Sequence, residues 1–138
     1  MGQIKKDIQG QVVYSSVAPH EENLFFWSTF SWTPGDPWTV TISFDPRYSN
    51  ESWKLSREML CDAVSRLPGQ EEFGWGDVRM YRGINRVYIT LRVNKHSISI
   101  NFPTYALEAF LGSTYEVLPF GEESWVADWD AELAKILA

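Results

Sequence analysis

Residues 53–69 read WKLSREMLCDAVSRLPG, and residues 74–80 read GWGDVRM. The first segment predicts a short strand followed by a helix, with Ser56 placed to cap the helix N-terminus. Apolar residues recur along this helix at a spacing of three to four, which is typical of one buried face: Met59, Leu60, Ala63, Val64 and Leu67. A Pro-Gly pair ends the helix, and the two glycines of the second segment bend the chain into a new strand. The stretch therefore predicts a strand, a helix and a second strand, and its residues have structural roles.

Before this helix the sequence is dominated by residues that alternate between apolar and polar. Four strands are predicted there, at residues 11–17, 24–32, 38–44 and 51–55. In the second strand, Phe25 and Trp27 lie on the face opposite the other large apolar residues, which are Leu24, Phe26, Phe30 and Trp32. The third strand alternates most cleanly and places four apolar side chains inward: Trp38, Val40, Ile42 and Phe44.

After the first helix, the sequence again predicts several strands followed by a helix. Strands are predicted at residues 77–82, 86–93 and 97–102, and Asn94-Lys95 is compatible with a tight hairpin turn. Pro103 suits the first turn of a second helix with an apolar stripe, and a polar and aromatic loop at residues 113–129 leads to a final helix at residues 130–137. This order predicts one α+β domain over residues 1–138, in which about seven to eight strands form a twisted antiparallel sheet of two ββββα-type halves, packed by two to three helices.

The composition limits the classes of function. The chain has 138 residues and a net charge of −6, the wrong sign for a general nucleic-acid binder or for an anionic membrane surface. A single cysteine, Cys61, excludes an intramolecular disulfide and predicts a cytosolic setting. Residues 1–20 lack the apolar run of a secretory leader, and no window of ~18 apolar residues is present to span a membrane. The expectation is a soluble cytoplasmic domain.

Residues with catalytic or metal-binding chemistry form no recognisable pattern. His20 and His96 lie outside any cluster with ligand spacing, and His96 is predicted at the surface. Cys61 lies in the middle of the first helix, where a structural thiol is more common than a nucleophile. The carboxylate doublets, Glu122-Glu123 among them, are predicted to be solvated loop charges rather than the separated acid and base of a glycosidase. We therefore predict no enzyme activity, no cofactor and no metal site.

Aromatic residues supply the strongest signal for binding. They make up 15% of the chain and include 7 Trp. Each such side chain buries roughly 150–250 Å², so the chain has more large apolar side chains than a small core needs. Four are predicted to form an interface with another subunit or a partner: Phe25, Trp27, Trp125 and Trp129. The alternative surface is a platform for single-stranded nucleic acid on two neighbouring strands, made of Arg79, Tyr81, Arg82, Arg86, Tyr88 and Arg92. The net charge favours pairing of these arginines with acidic neighbours instead.

Five segments, in order along the chain, resemble the SsgA-like proteins of filamentous actinobacteria. They are Asp36-Pro37-Trp38-x-Val40, Trp53-x-Leu-x-Arg-x-Met-Leu60, Gly74-x-Gly-Asp-Val-Arg79, Ala106-Leu-Glu-Ala-Phe-Leu111 and Asp130-x-Glu-Leu133. The resemblance covers nearly the whole chain. Trp38 departs from it, because the family usually has Tyr there.

The resemblance implies a whirly-like fold assembled as a homotrimer. It also implies a non-enzymatic role in sporulation and cell division: recruitment of the tubulin-like division protein to septal sites, through protein contacts that include SsgA-like paralogues. The protein would then concentrate at division septa in the cytoplasm. Relatives in the whirly fold bind single-stranded nucleic acid, which is the alternative function, and the fold does not decide between the two.

Overall fold

The computed structural model describes residues 2–16, 23–44 and 52–123. This part of the chain contains eight strands and two helices. The strands are β1 (Ile4–Ser15), β2 (Phe25–Thr33), β3 (Asp36–Phe44), β4 (Ser52–Ser56), β5 (Phe73–Trp75), β6 (Val78–Arg82), β7 (Arg86–Val93) and β8 (His96–Pro103). The helices are α1 (Arg57–Ser65) and α2 (Thr104–Val117).

The eight strands form a single antiparallel sheet in the order β4-β3-β2-β1-β8-β7-β6-β5. Four strands precede α1 and four more precede α2, so the predicted α+β fold of two ββββα halves is confirmed. β1 pairs with β8 in the middle of the sheet and joins the halves. The third helix, predicted at residues 130–137, lies outside the described residues.

Both helices pack on one face of the sheet, called here the inner face, and the opposite side is called the outer face. Alternate strand residues point to the inner face and form the core, including Ile8, Phe26, Phe30, Val40, Ile42, Leu55, Met80, Val87, Ile89, Ile100 and Phe102. The helices add Leu60, Ala63, Leu107, Phe110 and Leu111. Gly10 is needed in this core, because a Cβ there would lie 2.6 Å from the Phe102 ring. The core thus follows from the alternation of the sequence.

Two of the residues predicted to face inward are exposed. Leu24 lies just before β2 and is exposed. Trp38 is 47% exposed because the β2–β3 pairing shifts register between Ser31 and Thr33, which breaks the alternation at the start of β3. Pro37 is buried there in its place, and its carbonyl accepts a hydrogen bond from Trp32 Nε1 at 3.0 Å.

Several predicted boundaries are wrong. β1 begins at Ile4 rather than at residue 11, and the three-residue strand β5 was not predicted. α1 ends at Ser65, so Leu67 lies beyond the helix and is exposed. α2 continues to Val117, through residues predicted as loop, because Thr114 contributes a buried side chain to its inner side. The Ser56 cap is confirmed: its hydroxyl accepts a hydrogen bond from the Met59 amide at 3.1 Å.

The sheet curls around α1. A cavity of about 380 Å³ is lined by Lys54 and Leu55 of β4, by Ser56 and Met59, and by Trp75 and Val78 of β5 and β6. β4 and β5 are the first and last strands in the sheet order. Because both line one cavity beside α1, the curl brings the two ends of the sheet towards each other. No helix in residues 2–16, 23–44 and 52–123 is long and apolar enough to cross a membrane.

Candidate functional site

The outer face carries one continuous row of side chains across five strands. Phe25 of β2 pairs with Gln11 of β1, and Gln11 pairs with Asn101 of β8. Asn101 in turn pairs with Tyr88 of β7, and Tyr88 pairs with Tyr81 of β6. The row therefore joins the two surfaces that the sequence presented as alternatives, because the predicted interface residue Phe25 and the predicted stacking residues Tyr81 and Tyr88 share one face.

The aromatic end of this row is open to solvent. Phe25 and Trp27 are each 56% exposed, although they alternate along β2 with the buried Phe26 and Ser28. Tyr14 of β1 extends the exposed aromatic surface, because it pairs with Ser99 on the outer side of β8. Exposed clusters of large aromatic side chains are typical of protein interfaces. The other two predicted interface residues, Trp125 and Trp129, lie outside the described residues.

Three arginines lie near Tyr88 and Tyr81, at the end of the row opposite Phe25. Arg79, Arg86 and Arg92 lie on the outer face of β6 and β7. Arg86 donates from Nε to the side-chain oxygen of Asn101, whose amide nitrogen lies 3.4 Å from Gln11 Oε1. This chain of contacts buries Asn101 to 3% exposure on a face that neither helix covers. It fixes the Arg86 side chain on the sheet.

Arg82 does not belong to this group. Along β6 it shares the side of the strand occupied by buried Met80, whereas Arg79 and Tyr81 lie on the outer side. Its guanidinium donates instead to the carbonyls of Gly83 and Ile84 in the β6–β7 turn. The structure thus brings together Arg79, Tyr81, Arg86, Tyr88 and Arg92 and excludes the sixth residue of the predicted platform. The Tyr81 and Tyr88 rings meet edge to face, with their centroids 5.9 Å apart.

A buried ion pair lies on the other side of the sheet, between α1 and the chain after α2. Arg57 is 1% exposed and donates to Glu123 Oε1 at 2.7 Å and to the Leu118 carbonyl at 3.0 Å. Its guanidinium also stacks on the rings of Tyr115 and Trp32, at 4.0 and 5.0 Å from their centroids. The prediction that Glu123 is a solvated loop charge is therefore wrong. Arg57 offers the carboxylate a partner 66 residues away in sequence, which the loop composition could not indicate.

The surroundings of Glu123 lower the pKa of its carboxyl. Burial on its own raises this pKa, but hydrogen bonds from the backbone amide of Glu123 itself, from Arg57 and from the Gly121 amide outweigh it. The Gly121 amide lies 2.8 Å from Oε2, so both carboxylate oxygens have donors. The ion pair is therefore maintained at neutral pH.

This lowered pKa predicts a stability loss in acid. The folded-state pKa lies below 4.5, the ordinary value of a glutamate carboxyl, so the contribution of Glu123 is present above that value and is lost as the pH falls through the folded-state pKa. We expect the free energy of unfolding, measured by urea titration, to decrease less steeply with acidification in Glu123→Gln than in the wild type. Glu122→Gln, altered at the exposed neighbour, is expected to keep the wild-type slope. Equal slopes in all three proteins would contradict the prediction.

Tyr115 and Cys61 lie beside the Arg57–Glu123 pair, and these surroundings do not activate the Tyr115 phenol. Burial, followed by the nearby Cys61 thiol, raises the pKa of Tyr115 to about 12, so this phenol stays protonated at neutral pH. His96 is exposed at the start of β8, as predicted, and His20 lies outside the described residues. Among residues 2–16, 23–44 and 52–123, no three His, Cys, Asp or Glu side chains are grouped as a metal site. The outer face is therefore the best candidate for function.

Sequence reasoning missed Gln11, Tyr14 and Asn101 as parts of this face. Their positions follow from which strands are neighbours and in which register, and the β1–β8 pairing joins segments about 90 residues apart. Alternation along one strand indicates which side a residue occupies. It does not indicate which residue lies beside it on the next strand.

The family model of the Streptomyces sporulation and cell division protein SsgA matches residues 27–123. The sporulation-specific cell division protein SsgB of Frankia casuarinae is 30% identical over 115 residues, which are 80% of this chain and 77% of that protein. SsgB of Streptomyces coelicolor is 32% identical over 108 residues, covering 75% of each chain. The similarity thus extends over most of both proteins.

Solved structures agree with the sequence matches. An SsgA-like sporulation-specific cell division protein from Thermobifida fusca superposes with a TM-score of 0.79 and 26% identity, over 97% of this chain and 95% of that one. A second solved structure comes from work on SsgB mutations that correlate with longitudinal cell division during sporulation of Streptomyces coelicolor. It superposes with a TM-score of 0.75 and 25% identity, over 91% of this chain and 95% of that one. The family resemblance and a role in division and sporulation are thereby confirmed. The chain belongs to the SsgA family of sporulation and cell division proteins.

Proposed function

We propose that this protein is a non-enzymatic scaffold that helps to position the division septum during sporulation. As a single domain over residues 1–138, it recruits the tubulin-like division protein through protein contacts. It works in the cytoplasm, concentrated at division septa, with SsgA-like relatives among its partners. The names of its relatives support the process, and the outer face supports the mechanism.

The observation that carries this proposal is the exposure of Phe25 and Trp27. A strand whose alternate residues form the core has no structural need for two large aromatic side chains on its solvent side. Trp and Tyr dominate the binding energy of protein interfaces. The aromatic end of the outer face is therefore assigned to contact with another protein.

Assembly strengthens such a surface. We propose a homotrimer, in which each subunit presents the same outer face and weak contacts to a polymeric partner add as avidity. We propose that Trp125 and Trp129 add to the partner-binding surface that Phe25 and Trp27 form on each subunit. A rigid oligomer of this kind needs neither a cofactor nor a metal.

Removing the exposed aromatic side chains tests the role of the outer face. We expect the double variant Phe25→Ala/Trp27→Ala to lose its oligomeric state in sedimentation velocity, its capture of the tubulin-like division protein in pull-downs, or both. Its thermal unfolding is expected to stay close to that of the wild type, because both residues are exposed.

Tyr105→Ala is the matched control, since Tyr105 is a large aromatic residue exposed on α2, away from the outer face. It is expected to behave as the wild type does in both assays. A wild-type protein that sediments as a monomer and captures no division protein would refute the scaffold function. A double variant that retains both properties would refute the assignment of the site.

A further inference from the structure

The charge on the outer face differs from that of the whole chain. The protein has 18 Asp and Glu against 12 Lys and Arg, yet β6 and β7 place three arginines on the outer face. In the two helices, which cover the opposite face, the exposed charges are acidic: Glu58, Asp62, Glu108 and Glu116. The exposed charges of the two helices are thus opposite in sign to those of β6 and β7, and the arginine end of the outer face is suited to an acidic partner.

These arginines are available for binding. Neither Arg86 nor Arg92 pairs with a carboxylate among the described residues, and Arg92 is exposed. Arg79 makes one loose pair, at 3.9 Å from the exposed Glu72. Arg86 uses Nε for Asn101 and is held in place by that bond, which leaves its terminal nitrogens for a ligand. A fixed guanidinium loses less conformational entropy when it binds a carboxylate.

The strand order and register set the length of a ligand that contacts both Phe25 and Arg86. Phe25 and Tyr88 are separated by three strand spacings, or roughly 14 Å. Arg86 lies two residues before Tyr88, on the same side of β7. An extended peptide advances about 3.3 Å per residue, so an apolar side chain on Phe25 and a carboxylate on Arg86 are about four to five residues apart.

The tyrosine geometry favours a peptide over single-stranded nucleic acid. Tyr81 and Tyr88 meet edge to face, so they do not offer two parallel ring faces for successive bases. The negative net charge of the chain also repels a polyanion more strongly than it repels a short segment with two or three carboxylates.

We infer that the outer face binds an extended acidic segment of a partner protein. Its aromatic residues pack on Phe25 and Trp27, and a carboxylate about four to five residues further on pairs with Arg86. Arg92, six residues further along β7, attracts the remaining carboxylates over a longer distance. This inference rests on the proposed partner-binding function and specifies the chemistry of the partner. Gln11, partly exposed between the two ends and held by Asn101, presents its side-chain amide to the backbone of the segment.

Fluorescence anisotropy with labelled peptides tests this inference. The probe is FWSGEDE, with FWSGQNQ as its neutral counterpart and single-stranded oligothymidylate as the nucleic-acid probe. We expect FWSGEDE to bind several times more tightly than FWSGQNQ, and this preference to decrease as salt is added. Arg92→Gln, at an exposed side chain, is expected to weaken FWSGEDE binding about threefold to fivefold, and Arg86→Gln/Arg92→Gln about tenfold or more.

Arg66→Gln is the matched control, because it removes the same charge from the end of α1, where Arg66 pairs with Asp62. It is expected to leave FWSGEDE binding within about twofold of the wild type. Equal binding of the two peptides, no binding of either at low salt, or equal losses in Arg66→Gln and Arg92→Gln would overturn the inference. Preferential binding of oligothymidylate that Arg92→Gln weakens would replace the acidic segment with nucleic acid.

Pull-downs separate failure of this inference from failure of the proposed function. If Arg86→Gln/Arg92→Gln still captures the division protein while Phe25→Ala/Trp27→Ala does not, the scaffold function stands and the acidic segment is wrong. If the wild type captures no division protein, the scaffold function fails regardless of the peptide result.

Discussion

Glu123→Ala is expected to lower the free energy of unfolding by about 3–5 kcal/mol. The substitution leaves the Arg57 guanidinium, which is 1% exposed, without the carboxylate that neutralises it. The Leu118 carbonyl and the Tyr115 and Trp32 rings remain in contact with it, but none of them carries a negative charge. Such a loss is a large part of the stability of a typical domain, about 5–15 kcal/mol. Urea and thermal unfolding monitored by circular dichroism measure it.

The neighbouring residue supplies the control for this experiment. Glu122→Ala removes the same functional group from an exposed position and is expected to change stability by less than about 0.5 kcal/mol. Arg57→Met/Glu123→Leu removes both charges together and is expected to recover much of the loss, because the desolvation cost of each ion disappears with it. Similar stabilities for Glu122→Ala and Glu123→Ala would show that the ion pair contributes little.

Phe30→Ala is expected to destabilise the fold by about 3–5 kcal/mol. Phe30 is fully buried in β2 and packs edge to face on Phe102 and Phe110, at centroid distances of 5.0 and 5.8 Å. The substitution therefore opens a cavity where the sheet contacts α2 and removes two aromatic contacts. Equilibrium unfolding in urea gives the change in free energy.

Phe25→Ala is the matched variant, in the same strand and of the same chemistry but on the outer face. We expect it to change stability by less than about 1 kcal/mol, because Phe25 is more than half exposed. The ratio of the two changes in unfolding free energy thus measures how differently the inner and outer sides of β2 are buried. Comparable losses in the two variants would mean that the outer face is covered in solution, for example by another subunit.

The sequence was sufficient where a residue's role depends on its near neighbours. Alternation in β2 and β3 placed Phe30 and Ile42 in the core and Phe25 on the outer side, and the structure confirms these positions. The Ser56 cap and the Asn94 turn were also predicted, since both depend on local backbone geometry. The order of strands and helices in the two halves was predicted from the same local patterns, and the structure confirms it.

Interactions between distant segments could not be predicted in this way. The Arg57–Glu123 pair joins the start of α1 to the chain after α2, and no local pattern marks Glu123 as different from Glu122. The error at Trp38 has a related cause, because the register shift that exposes it is set by the pairing with β2. The row through Asn101 likewise required the strand order. These features depend on tertiary packing, which overrides local preference.

The position of β1 in the centre of the sheet has a consequence for biosynthesis. β1 finds its first partner, β2, soon after it emerges from the ribosome, but its second partner, β8, begins at His96. At about 5–20 residues per second, the roughly 80 residues between them take about 4–16 s to translate. During that interval the backbone amides and carbonyls along one side of β1 have no strand to pair with. The first half of the nascent chain is therefore a sheet with an unpaired edge. β1 pairs with β8 only after most of the domain has been translated.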